Sequence, residues 1–298
     1  MIISIDGSFL LHRARFVAGK NGTPTRDHTI SIFMSILLRT LGQFRPSKVY
    51  IYFDRERSYH RLKLYAAYKG HRKEDENDLT LVAYKLARDF LTEKLPKLGF
   101  ITVLRDGIEA DDFGYITAYK YAPGVHVTDD RDWFNNLFPN WSLFRPKANE
   151  FISYEQFCRM VSHTDNPRMI YLIARAITGD RSDNIPGIRG VPWEQALRLA
   201  PDVFARKELG HDKYAKKVRE GMDLVRYNMN IMTPIWVIQS GEVLDALREA
   251  ENEITRDFSS PLILWKSFYE RLEEEEPQRD MKRLVLEYKS LVKRLSYE

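Results

Sequence analysis

The sequence predicts an α/β domain with a largely parallel central sheet, followed by a helical part. Three observations predict it. Apolar, β-rich runs alternate with helical patterns over the first 150 residues. Several of those runs end on an aspartate. After about Glu150 strand signals become rare and helix punctuation takes over. Met1 to Ile5 reads as a short buried strand ending on Asp6, and Lys48 to Phe53 (KVYIYF) as a second ending on Asp54. Thr29 to Leu41 carries helical apolar spacing, and Leu79 to Leu95 reads as another helix. Ile101 to Leu104 is a strand closed by an Asp106-Gly107 turn. Glu109 to Tyr121 is a helix with an acidic first turn, and Val125 to Thr128 is a strand ending on Asp129 and Asp130. Further on, Asn166-Pro167 starts a helix whose apolar face, Met169 to Ile177, stops at Gly179. Pro192 opens the next, through Leu199, and helical patterns continue over Lys213 to Tyr227 and Met281 to Leu295. The expected units are therefore 1–150 and 151–298.

Composition excludes several classes. The 298 residues are 44% hydrophobic and 30% charged, an ordinary globular balance and not that of a disordered chain. Apolar runs last only a few residues, far short of the roughly 20 that a membrane helix needs. The start, MIISIDGSF, lacks the basic segment of a secretory signal. A single cysteine, Cys158, can form neither an internal disulfide nor a cysteine zinc site, so the expected location is the reducing cytoplasm. The net charge of +4 is too small to identify a partner, but its distribution is informative. Arg55 to Lys73 holds seven Lys or Arg against one acid, Glu56. Basic charge in one stretch and carboxylates at strand ends suggest a phosphate-bearing substrate and a metal to handle it.

The carboxylates form four groups. Asp6, Asp54 and Asp130 follow apolar strands, and the carboxyl ends of parallel strands line one crevice. Acids gathered there repel one another unless a cation sits between them. Glu109-Ala110-Asp111-Asp112 opens a helix, where the dipole favours acids in any case. Asp130-Arg131-Asp132 is a D-x-D pair. The most specific group is Gly179-Asp180-Arg181-Ser182-Asp183-Asn184-Ile185-Pro186-Gly187-Ile188-Arg189-Gly190, a connection between helices with two acids three apart and then a Pro- and Gly-rich hairpin. Its backbone N–H groups and the following helix N-terminus suit a phosphate. The whole set offers hard oxygen ligands, which select Mg²⁺ or Mn²⁺ over zinc. Two such ions would serve phosphodiester hydrolysis.

GDRSDNIPGIRG resembles the helix–three-turn–helix signature of the 5′-nuclease superfamily, which includes bacteriophage flap endonucleases, 5′→3′ exonucleases and the 5′-nuclease domain of bacterial DNA polymerase I. The motifs run in the family's order: Asp6, Phe53-Asp54, Tyr68-Lys69-Gly70-His71-Arg72, Glu109 to Asp112, Asp130 to Asp132, and Gly179 to Asp183. The length, with no polymerase following, is similar to that of the stand-alone phage enzymes. The resemblance implies a PIN-like, largely parallel central sheet with helices on both faces. It also implies a helical arch over about 65–95 and a helical C-terminal part with the helix–three-turn–helix over about 166–200.

By the same resemblance, Asp6, Asp54, Glu109 and Asp111 are ligands of a first Mg²⁺, and Asp130 and Asp132 of a second, with Asp111 between. Asp112, Asp180 and Asp183 complete the acidic nest, partly through water. Lys69 and Arg72 hold the scissile phosphate. Arg61 and Tyr68 contact DNA, and Tyr59, Tyr65 and Tyr68 offer faces on which an unpaired base can stack. Gly187, Arg189 and Gly190 belong to the hairpin that meets duplex phosphates, and its carbonyls bind potassium in some relatives. Here the sequence departs from the pattern: Pro192-Trp193-Glu194 follows where the family has a lysine, so anchoring at this end is either weaker or borrowed from Arg189 and Arg198.

The implied activity is 5′→3′ exonuclease and structure-specific flap endonuclease at junctions of duplex and 5′ single strand, in primer removal, with an RNA–DNA hybrid as a further substrate. The implied protein is a monomer working beside single-stranded-DNA-binding protein. Two other readings stay open. A PIN-type ribonuclease shares the acidic core, and RNA-only cleavage without junction preference would favour it. A non-catalytic branched-DNA binding protein would show DNA affinity that does not respond to Mg²⁺.

Overall fold

The computed structural model describes residues 1–253 apart from 23, 45, 73–77, 164 and 235–239. The expected helix over Met281 to Leu295 and residues 73–77 of the expected arch lie outside the described residues.

Six strands form one sheet in the order β3-β2-β1-β4-β5-β6. β1 (Ile2–Asp6) lies in the middle, parallel to β2 (Lys48–Asp54) on one side and β4 (Gly124–Val127) on the other. β3 (Ile101–Arg105) extends the parallel sheet beyond β2, and β5 (Trp141–Arg145) beyond β4. β6 (Glu150–Ser153) closes that edge antiparallel to β5. The order reverses at β1, so the crevice beside its carboxyl end is the expected ligand position in such a sheet. The central strands are buried along nearly their whole length, as strands covered on both faces must be.

One face is covered by α1 (Gly7–Ala18), α2 (Arg26–Phe44) and α4 (Leu79–Lys94), whose apolar side chains close a core with Ile3, Ile5, Ile51 and Val127. The short α3 (Tyr59–Leu64) lies between β2 and α4 in sequence. The other face packs on α5 (Ala110–Lys120), a 3₁₀ turn over Arg131–Asn136, α6 (Tyr154–Met160) and α7 (Pro167–Thr178). The same core continues into α8 (Trp193–Phe204), α9 (Lys213–Glu220), α10 (Met222–Met232) and α11 (Ser240–Asn252), so the helical part shares its interior with the sheet.

Some elements were not expected. α1 follows β1 without a break, β5 falls in a segment for which no strand was expected, and β6 falls at the start of the stretch read as strand-poor. The expected arch span divides: 65–72 is a turn-rich loop, and α4 packs Ala83, Tyr84, Ala87 and Leu91 into the core. Gly7 explains why α1 can start so close to the sheet. A Cβ there would lie 2.8 Å from the Tyr52 carbonyl oxygen. Among the described residues no helix is long and apolar enough to cross a membrane.

Candidate metal centre and nucleic-acid interface

The strand ends deliver three aspartates to the crevice, each held by backbone or hydroxyl donors. Asp6 caps α1, accepting from Phe9 N at 2.8 Å, and its other oxygen accepts from Thr128 Oγ1 at 3.0 Å. Asp54 accepts from Ala110 N at 2.6 Å, while its own N–H donates to Ser8 Oγ at 2.7 Å. Asp130 accepts from Asp132 N at 3.0 Å. Among the described residues none of the three is ion-paired to a lysine or arginine. Burial, and then the charges of Asp54 and Asp130, raise the Asp6 carboxyl well above the usual range. Burial and then Glu109 raise Asp54. Asp130 is an exposed residue, yet partial burial of its carboxylate and then Asp132 push it up to about 7.

The opposite wall is acidic as well, but it is threaded with cations. Arg61 is 3% exposed, and every N–H of its guanidinium is engaged. Nε donates to the Ile231 carbonyl at 3.2 Å; Nη1 donates to Glu109 at 2.7 Å and Asp112 at 3.1 Å; Nη2 donates to Asp112 at 2.9 Å and Asp111 at 3.4 Å. Lys69 Nζ donates to Glu109 Oε1 at 2.9 Å and lies 4.0 Å from Asp183. Arg72 pairs with Asp183 at 2.8 Å. Against the opposing effect of burial, Lys69 and then Arg61 draw Glu109 down to about 2. Arg175, from the last turn of α7, bridges Asp132 and Asp180. Against burial, the largest single effect, Arg175 together with hydrogen bonds from Ser182 and the Asp183 N–H lowers Asp180, whereas burial leaves Asp183 up at about 6. The carboxylates of Asp132, Asp180 and Asp183 bring ligand atoms within 4.8 Å of one another.

The basic loop and the hairpin are stitched together. Lys69 adopts a left-handed backbone (φ 52°), and its N–H donates to the Asp183 carbonyl at 2.9 Å. That conformation is uncommon for a side chain with a Cβ and persists only where surroundings enforce it. Asn184 Nδ2 donates to the Ala67 carbonyl at 2.8 Å, Tyr65 Oη to the Asn184 carbonyl at 3.0 Å, and Arg72 Nη2 to the Ser182 carbonyl at 3.0 Å. Gly187 lets the hairpin cross the end of α7: a Cβ there would lie 1.9 Å from the Thr178 carbonyl oxygen. Arg189 and Gly190 are exposed, and Lys217 of α9 reaches over to donate to the Arg189 carbonyl at 3.2 Å.

An acid-lined crevice at a topological switch, faced by a basic loop and a Gly-rich hairpin, can hold divalent cations and a phosphate between them. The family model for the 5′-3′ exonuclease, N-terminal resolvase-like domain matches residues 1–161. The chain belongs to this family. A 5′-3′ exonuclease of Aquifex aeolicus is 24% identical, over 84% of this chain and 88% of that protein. DNA polymerase I of Caldicellulosiruptor bescii is 26% identical over 99% of this chain, which spans only 33% of the polymerase's length. The fold is similar to that of a bacteriophage T5 flap endonuclease solved with DNA and metal ions (TM-score 0.67, 20% identity, 85% of this chain and 97% of that one). It is also similar to the catalytic core of Rad2 in complex with DNA substrate (TM-score 0.52, 17% identity, 97% of this chain and 91% of that one).

Several expected roles need correction against this geometry. Arg61 cannot reach DNA, because all five of its donors are spent inside the protein. Tyr68 is 2% exposed and bonds Glu109 through its hydroxyl at 2.8 Å, so its ring is no stacking platform. Asp112 is fully buried against Arg61 and accepts from the Glu109 N–H at 3.3 Å, away from the open crevice. Both Glu109 oxygens accept protein donors, Lys69 and Ser58 N on one and Arg61 and Tyr68 on the other. Gly187 serves chain crossing. The sequence reading missed Ser8, Thr128, Arg175 and Lys217. Ser8 and Thr128 had a signal, small hydroxyl residues two positions from a strand-end aspartate.

Proposed function

We propose that this chain is a divalent-metal-dependent 5′→3′ exonuclease and structure-specific flap endonuclease acting on DNA where a duplex meets a 5′ single strand. The observation that carries the reading is the trio Asp6, Asp54 and Asp130: three strand-end carboxylates, none ion-paired to a lysine or arginine among the described residues, with the charge of Lys69 felt by Asp54 and Asp130. Their all-oxygen donor set fits Mg²⁺, which keeps several waters and takes one or two carboxylates directly, and Mn²⁺ substitutes. In this reading the trio, with Asp111 beside it, holds the first ion, and Asp132, Asp180 and Asp183 hold the second. Bound ions supply an activated water and an electrostatic clamp for in-line hydrolysis of a phosphodiester.

The chain's own residues do the rest. Lys69, fixed by its backbone on the hairpin, keeps an ammonium beside the crevice, where charge develops on the scissile phosphate. Arg72, half-exposed, adds a fork that suits a phosphate. Duplex phosphates meet the hairpin at Arg189 and Gly190. Lys217 takes the place of the expected potassium ion there, since its ammonium already lies on the Arg189 carbonyl. Recognition of this kind reads backbone shape and charge, not base edges.

The test is cleavage of a 5′-labelled flap with Mg²⁺ by wild type, Asp130→Ala and Lys69→Ala. Release of the flap at its junction is expected for wild type, with a loss of about a hundred- to thousandfold for Lys69→Ala. Binding without cleavage in wild type, across Mg²⁺ and Mn²⁺, would overturn the reading. A parallel flap with an RNA 5′ strand separates the ribonuclease alternative.

A further inference from the structure

The carboxylates of Asp132, Asp180 and Asp183 lie close enough to share one ion, yet a protein cation is already there. Arg175 contacts Asp132 and Asp180 at once, from a side chain 12% exposed. It stands on α7 five residues before Asp180, so the helix C-terminus and the Gly179 turn deliver both ends of the contact. Tyr171, one turn earlier on α7, packs behind it, with its hydroxyl on the Arg131 carbonyl at 3.2 Å. An arginine does not lose its charge at any working pH. A divalent ion bound by both aspartates would therefore face a fixed positive charge on the same oxygens.

We propose that Arg175 is a positioning residue that acts as a resident counter-ion. It holds Asp132 and Asp180 together while the second ion is absent, and it must swing aside before that ion can bind. A phosphodiester in the crevice gives the displaced guanidinium a new partner of matching fork geometry. The second ion is thereby coupled to substrate, while the first, held chiefly by Asp6, Asp54 and Asp130, none of them ion-paired among the described residues, is not. This inference rests on the metal-centre reading above.

The experiment is calorimetric titration of Mn²⁺ into the metal-free 298-residue chain without DNA, for wild type and R175Q, with circular dichroism to verify folding. Wild type is expected to bind one ion tightly and a second weakly. R175Q is expected to bind the second at least tenfold more tightly, with the first unchanged. R175K, which keeps the charge but not the fork, should fall between, and it decides the matter should R175Q not fold. Second-site affinity that is unchanged or weaker in a folded variant overturns the proposal, leaving Arg175 a plain structural brace. Two equally tight ions in wild type overturn it as well. No Mn²⁺ binding in wild type overturns both this inference and the metal-centre reading, which separates the two failures.

Discussion

The two walls of the crevice carry the same side chains and differ in what neutralises them. At the strand ends, Asp6, Asp54 and Asp130 are held by N–H and hydroxyl donors and crowd one another. Across the cleft, Glu109, Asp112 and Asp180 are matched by Arg61, Lys69 and Arg175. The outcome is opposite protonation behaviour within one site. Asp6 is raised by burial and its acidic neighbours, while Glu109 is drawn down to about 2 by Lys69 and Arg61 in spite of its burial. The difference teaches that an acidic cluster is not uniform. Where Arg61 and Lys69 match Glu109 and Asp112, the acids serve the fold; Asp180 is matched only by Arg175, and the strand-end trio is where external charge is most wanted. Asp183 stands between them, paired with Arg72 yet raised to about 6 by burial.

The comparison can be broken first by activity. Asp130→Ala removes an unmatched carboxylate of the proposed first-ion site, and single-turnover flap cleavage should fall by about a thousandfold, roughly 4 kcal/mol of barrier. Its fold should be undisturbed, and a near-normal rate would place the ions elsewhere.

Stability is the second lever, and here the two walls should answer with opposite signs. Glu109→Gln leaves Arg61 and Lys69 short of a partner, and breaking a buried pair from one side costs about 3–5 kcal/mol. Urea unfolding should show that loss. Asp6→Asn relieves like-charge repulsion, so the metal-free protein should gain stability. Losses in both variants would show that the walls do not differ.

A pH series sharpens the contrast further. For Asp130, about 7, and Asp183, about 6, the folded value lies above the unfolded one, near 3.9. Their contribution to stability is full below the unfolded value and is lost as pH rises through the folded values. Glu109 works the other way, contributing above the unfolded value, about 4.3, and losing it as pH falls towards 2. Between pH 5 and 8 the metal-free melting temperature should therefore drop. Mg²⁺, which binds the deprotonated carboxylates, should raise it more at pH 8 than at pH 5. A melting temperature that rises with pH without metal would contradict the unmatched wall.

The smallest effect is expected outside the crevice. Lys217→Ala removes the cation that sits on the hairpin carbonyl, and should weaken duplex binding a few-fold and lower the salt slope by about one. An unchanged slope would leave Lys217 as a brace for the hairpin.

Much of the scaffold was legible from local pattern. Asp6 and Asp54 stand at the ends of β-rich runs, and Pro167 and Gly179 bracket α7 as their backbone chemistry requires. β5 and β6 were not legible, being five and four residues long and placed at a sheet edge. Arg61 was misread for a different reason. In sequence it sits among cations that face solvent, such as Arg55 and Lys63. Only the fold turns it inward, onto carboxylates 48 to 51 residues away.

What the sequence determined by itself was the placement of acids at the carboxyl ends of strands, because strand, terminus and neighbouring acid are all encoded within a few residues. What only the tertiary structure decided was which acids receive a counter-charge. Lys69 meets Glu109 across 40 residues, and Arg72 meets Asp183 across 111. Coulomb energy depends on distance in space and on local screening, and neither can be read from separation along the chain.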